Sequence, residues 1–194
     1  MLNKIIFDIE TKTPLYDPTT PEIADMEISV LSLYDSKTKK YYSFTEDNFD
    51  KMEKFFQEAD LIVTFNGEHF DIPILKKYLK NINLDEKKHI DIMLKIQDVL
   101  GKRIGLDGIA SSTLGYSKSA NGLQAVAWWN SGEIDKIIKY CEQDVKVTKD
   151  IYEYALKNGK LFFEDRKTRE KKEVVLNTSD WEEKEDKKNS LSLF

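Results

Sequence analysis

The chain has 194 residues, a formal charge of −5, and Asp, Glu, Lys and Arg make up 34% of it. That length suits one compact domain with small appendages, and the acidic balance argues against indiscriminate coating of nucleic acid. One cysteine and two histidines exclude an internal disulfide or a cysteine-based metal cluster, leave little scope for a histidine-rich site, and suit a reducing cytoplasm.

Lys4 to Thr11 reads as a buried strand that carries Asp8 and Glu10 one residue apart. The strand begins too soon after Met1 to leave room for a signal peptide. Strand side chains alternate, so both acids share one face while Phe7 and Ile9 take the other. Two carboxylates so placed repel each other. They either coordinate a hard divalent cation such as Mg²⁺ or Mn²⁺, or sit in water where the strand has ended.

A Pro/Thr/Asp loop from Thr13 to Glu22 follows. Glu27–Tyr34 and Lys39–Phe44 then read as an antiparallel hairpin around Asp35-Ser36-Lys37. Thr45 with Glu46 and Asp47 starts a helical stretch whose Phe49, Met52, Phe55 and Phe56 face a core. Leu61–Phe65 is a short apolar strand ended by Asn66-Gly67. A helix is expected from about Phe70 to Lys80, a strand from Ile90 to Met93, and a long helix from about Glu133 to Leu156, with Gly159 as its cap. Lys160–Glu164 and Glu173–Leu176 form a second hairpin with the basic tip Arg166-Lys167-Thr168-Arg169-Glu170-Lys171-Lys172. From Asn177 onward the composition predicts disorder. No apolar run approaches membrane-spanning length.

Asp71 lies at a helix start, where an acid also has a plain role as a cap. Tyr140 and Asp144 are one helical turn apart on the long helix, and Val147 and Ile151 carry that face inward. An inward, unpaired Asp144 calls for a cation or a hydrogen-bond donor. Asp91 and Asp107 read as structural, His69 as a surface residue, His89 as a residue just before a strand, and Cys141 as a small core residue.

The ordered set resembles the DEDDy 3′–5′ exonucleases of the ribonuclease H-like superfamily. Its parts are Asp8-x-Glu10 on a first strand, Asn66-x-x-x-Phe70-Asp71 after a middle strand, and Tyr140-x-x-x-Asp144 in a late helix. The resemblance is to the predicted exonucleases related to the proofreading domain of family-B DNA polymerases, and it runs to about Gly159. Gly105-Leu106-Asp107-Gly108-Ile109-Ala110, Leu114-Gly115 and Trp128-Trp129-Asn130-Ser131-Gly132 also resemble that family. The resemblance implies an α/β ribonuclease H-like fold with a mixed central sheet flanked by helices over residues 1–159; the residues beyond it read as a β-hairpin appendage at 160–177 and a disordered tail at 178–194. It implies that Asp8, Glu10, Asp71 and Asp144 bind two divalent ions, Mg²⁺ or Mn²⁺, while Tyr140 orients the attacking water. Ile9, Thr11, Asn66 and Phe70 become the substrate contacts, Phe70 by stacking on a base. The implied activity is release of nucleoside monophosphates from single-stranded 3′ ends, DNA ahead of RNA, in replication or repair. An exoribonuclease and a non-catalytic adaptor on the same fold are the alternatives.

The terminal Ser190-Leu191-Ser192-Leu193-Phe194 resembles the peptide by which bacterial replication proteins dock on the sliding clamp. Leu191, Leu193 and Phe194 would fill the pocket, with Ser190 where Gln is usual. The charged stretch before it would act as a tether.

Overall fold

The structure, a computed structural model, describes residues 2–15, 17, 22–116 and 122–183. The proposed docking residues Leu191, Leu193 and Phe194 lie outside them. Strand β1 (Lys4–Thr11) sits at the centre of a five-stranded mixed sheet ordered β3-β2-β1-β4-β5. It runs antiparallel to β2 (Ile28–Asp35) and parallel to β4 (Leu61–Thr64). Beyond these, β3 (Lys40–Phe44) is antiparallel to β2, and β5 (Lys88–Asp91) is parallel to β4. Among the described residues no helix is long and apolar enough to cross a membrane.

Each face of the sheet has its own cover. Ile5, Phe7 and Ile9 are buried against α1 (Glu53–Glu58) and α2 (Asp71–Leu75), with the Phe7 ring meeting Phe56 edge-on at 5.2 Å. On the other face, Ile6 and Val63 pack under α6 (Ile134–Asn158), whose Ile137, Cys141, Val145 and Ile151 are all fully buried. Small residues prepare this second face. Ser32 stands opposite Asp8 and Ser43 opposite Ser32, and the two hydroxyls are hydrogen-bonded at 2.9 Å. Short side chains let a helix come close, and the Ser43 hydroxyl donates to Glu142 of α6 at 2.7 Å.

The sequence reading differs from the structure at several places, among them β7, which spans Lys171–Val175 and so takes in the last two residues of the expected tip. The strand expected at Ile90–Met93 lies two residues earlier, because the Asp91 carboxylate accepts from the Met93 and Leu94 N–H groups and so caps α3 (Ile92–Leu100). His89 therefore lies within β5 and not before it. The helix expected from Phe70 to Lys80 stops at Leu75, and residues 76–78 continue as a turn. Disorder expected from residue 178 fails at Trp181, which is completely buried and stacked on Tyr152 of α6 at 5.6 Å. Ion pairing of Lys4 with Glu182, and Lys88 donating to the Asp180 and Glu183 carbonyls, hold this segment down.

The second hairpin is fixed to the body. Strand β6 (Lys160–Glu164) and β7 (Lys171–Val175) form a two-stranded sheet. Its Leu161, Phe163 and Val174 are buried in the core beneath α6. The Phe162 backbone N–H donates to the Thr113 hydroxyl of α4 (Leu106–Leu114), and that hydroxyl donates back to the Phe162 carbonyl.

Candidate metal centre

Three of the expected acids converge. Asp8 and Glu10 point from β1 toward α6, where Asp144 meets them, and one carboxylate oxygen from each lies within 4.8 Å of the others. Glu10 is buried and Asp8 and Asp144 are half-buried. Like charges this close, half out of water, raise one another's pKa. Burial lifts Asp8 far above the usual carboxylate range, and Asp71, Asp144 and Glu10 add to it. Burial also lifts Glu10, with Asp144 and then Asp71 contributing. Asp144 is pushed up to about 7 by burial, against a hydrogen bond from Tyr140 and with help from Asp107. The charges acting on Asp8 and Glu10 are all acidic, so the cluster lacks a neutralising lysine or arginine among the described residues.

Asp71 is not in that 4.8 Å group but stands next to it. The turn before it explains how it arrives. Asn66 has a left-handed φ of 70°, and a Cβ on Gly67 would meet Thr64 at 2.5 Å, so only glycine fits that bend. The Gly67 carbonyl accepts from the Ile72 N–H, starting α2. Asp71 is buried and accepts from the Ile9 backbone N–H at 3.0 Å. Burial lifts it to about 7 against the pull of that donor.

The remaining expected residues fall into place unevenly. Tyr140 is half-buried, hydrogen-bonded to Asp144 and edge-on to Trp128 of α5 (Gly122–Asn130) at 6.2 Å. Burial and the surrounding acids hold its phenol pKa above the ordinary value. Ile9 buries its side chain on the opposite face and gives its N–H to Asp71. Thr11 is buried and donates to the Thr13 carbonyl at 2.8 Å. Asn66 has its side-chain oxygen buried with no partner among the described residues. Phe70 packs half-buried against the Phe7 core.

Asp91 has a structural task, since its carboxylate accepts from the Asn66 and Glu68 N–H groups and so clamps the turn before Asp71. Cys141 is more than core filling: its thiol lies 3.3 Å from the Asp8 carbonyl and 3.5 Å from the Asp8 carboxylate. Asp107, read as structural from sequence, lines the same groove as Tyr140 and Asp144 and acts on the charge of Asp144. Its only signal in the sequence was the Gly105-Leu106-Asp107-Gly108 motif.

Four buried or half-buried oxygen donors without cationic neighbours fit hard divalent ions. No curated protein matches this chain by sequence. The family B DNA polymerase from the hyperthermophilic archaeon Pyrobaculum calidifontis has a similar fold, with a TM-score of 0.63 and 19% identity. That likeness covers 80% of this chain and only 25% of the polymerase chain. The model of the family RNase_H_2, in the RNase_H superfamily, matches residues 5–156. With its central strand, mixed sheet and acid cluster all inside that span, the chain belongs to the RNase_H_2 family of the RNase H superfamily.

Proposed function

We propose that the protein is a metal-dependent 3′–5′ exonuclease acting on single-stranded DNA ends. The observation that carries this reading is the convergence of Asp8, Glu10 and Asp144 within 4.8 Å, with Asp71 and Tyr140 beside them. Asp8, Glu10, Asp71 and Asp144 would hold two divalent ions, Mg²⁺ or Mn²⁺. When bound, such ions supply a water of lowered pKa and neutralise charge at the phosphorus and the leaving oxygen.

The chain's own residues set the geometry. Ile9 N–H fixes the Asp71 carboxylate, and the Tyr140 hydroxyl fixes Asp144. With its pKa raised, the Tyr140 phenol keeps its proton at neutral pH and cannot serve as the base. It therefore orients the attacking water as a hydrogen-bonding partner. Water adds at the last phosphodiester phosphorus and the bond to the preceding 3′ oxygen breaks. That oxygen takes a proton, and a nucleoside 5′-monophosphate leaves. Docking to a sliding clamp through Leu191, Leu193 and Phe194 belongs to the same reading.

Digestion of 5′-labelled DNA and RNA oligomers with Mn²⁺, with and without chelator, tests the proposal. The expected result is a ladder of 5′-labelled products shortened from the 3′ end, faster on DNA and absent in chelator. An Asp8→Asn chain is expected to lose about 100- to 1,000-fold, as when one transition-state stabiliser is removed. Digestion that persists in chelator or in Asp8→Asn refutes the site; faster digestion of RNA refutes the DNA preference. In a pull-down, deletion of residues 189–194 is expected to abolish clamp binding, and retained binding would remove the docking role.

A further inference from the structure

The acid cluster opens at one end into a groove of about 890 Å³ that its own chemistry does not explain. Tyr140 and Asp144 are among its lining residues, and so are the cationic Lys102, Arg166, Lys167 and Arg169. The start of α4 at Gly105–Gly108 lines the same groove. Five of the seven residues from Arg166 to Lys172 are cationic, in a chain whose net charge is −5. An acid-lined cleft repels a polyanion, so a strand of nucleic acid needs cations where the cleft ends.

Those cations are not equivalent. Arg169 pairs with Glu164 at 2.9 Å, and Lys172 pairs with Asp165 at 3.0 Å, with Lys102 at 3.9 Å from the same Asp165 oxygen. Arg166 and Lys167 are exposed and have no ion-pair partner among the described residues. The loop that presents them is held in shape. Asp165 accepts from the Lys167 and Thr168 N–H groups, its carbonyl accepts from the Arg169 N–H at 2.7 Å, and its own N–H donates to the Glu170 carbonyl. Below the loop, the Thr113 hydroxyl and buried Leu161 and Phe163 tie the hairpin to α4 and the core. A hairpin so anchored holds its charges at a fixed place relative to Asp144, which a loose basic tail would not do.

We infer that this groove is the track for the nucleic-acid strand behind its reacting end, and that Arg166 and Lys167 grip its phosphodiester backbone. The inference deepens the exonuclease reading and rests on it for the identity of the ligand. Both residues act on phosphate, so the grip is indifferent to base sequence.

The test is binding of a fluorescent single-stranded DNA of about 16 nucleotides in chelator, followed by anisotropy over a range of salt. Arg166→Gln with Lys167→Gln is expected to weaken binding about tenfold and to lower the salt slope by about 1.4, two single-strand phosphate contacts at about 0.7 each. Lys51→Gln with Lys80→Gln, an equal charge change on exposed lysines elsewhere, is expected to change neither. Arg166→Lys alone, which keeps the charge, should leave the slope largely unchanged. Unchanged affinity and slope in the double variant, an equal loss in the control pair, or no binding by the unmodified chain overturns the inference. Loss of binding as expected, with no digestion of DNA or RNA by the unmodified chain in Mn²⁺, sinks the exonuclease reading and leaves the groove standing.

Discussion

The two faces of β1 are built from adjacent residues and do opposite things. Ile5, Phe7 and Ile9 disappear into an apolar cluster, while Asp8 and Glu10 force charge into a partly buried place. One face gains free energy from every side chain it hides; the other gives some of it up. Alternation along one strand thus lets the same eight residues anchor the domain and present an acid cluster without either arrangement intruding on the other.

The sharpest way to break the comparison is to mutate each face in turn. Phe7→Ala should cost about 3–5 kcal/mol in chemical denaturation, since it empties a fully packed position against Phe56. Asp8→Asn, measured in chelator at neutral pH, should be neutral or stabilising, because it removes a carboxyl whose ionisation burial and three neighbouring acids disfavour. A large destabilisation by Asp8→Asn would mean that the acid is holding the fold and not a ligand.

A smaller effect separates the faces by pH. Asp71 and Asp144 rise from the ordinary 3.8 to about 7. A carboxyl whose pKa is higher when folded binds more protons in the native state between those two values. Its stabilising contribution is therefore complete below about pH 4 and is lost as pH rises through about 7. Divalent ions compete with those protons, so the rise in melting temperature caused by Mn²⁺ should grow between pH 5 and pH 8. A pH-independent rise would show that both carboxyls are already ionised without metal.

The mildest change is Tyr140→Phe, which deletes one hydroxyl and leaves the ring against Trp128. Turnover should fall by about 10- to 100-fold while Mn²⁺ affinity, read by calorimetry, stays within about threefold, as expected for loss of a group that positions and does not ligate. Unaltered turnover would leave Tyr140 with a packing role alone.

What the sequence disclosed follows the same division. Lys4–Thr11 was legible residue by residue, because a β-branched run ending in Asp-x-Glu has one economical arrangement. The long helix was read to within two residues at its end, because Gly159 with φ of 64° closes it. Asp91 was harder: an acid inside an apolar run looks like part of a strand until its capping of Met93 and Leu94 is seen. Burial of the Ile9 side chain follows from the alternation that placed Asp8 and Glu10 on the other face. The thiol of Cys141 beside Asp8 depends on how close the Ser32 and Ser43 ladder lets α6 approach, and no local pattern records that distance. The groove was least legible, since Lys102 and Arg166 are brought to one wall only when the hairpin docks on α4.

Trp181 has a consequence for the order in which the molecule assembles. It settles on Tyr152, while its neighbour Glu182 reaches Lys4, a link spanning 178 positions of the chain. Closing so long a loop is entropically demanding, so it forms after the sheet and α6 exist to receive it. During synthesis this last link to the first strand therefore closes only when nearly the whole domain has emerged from the ribosome.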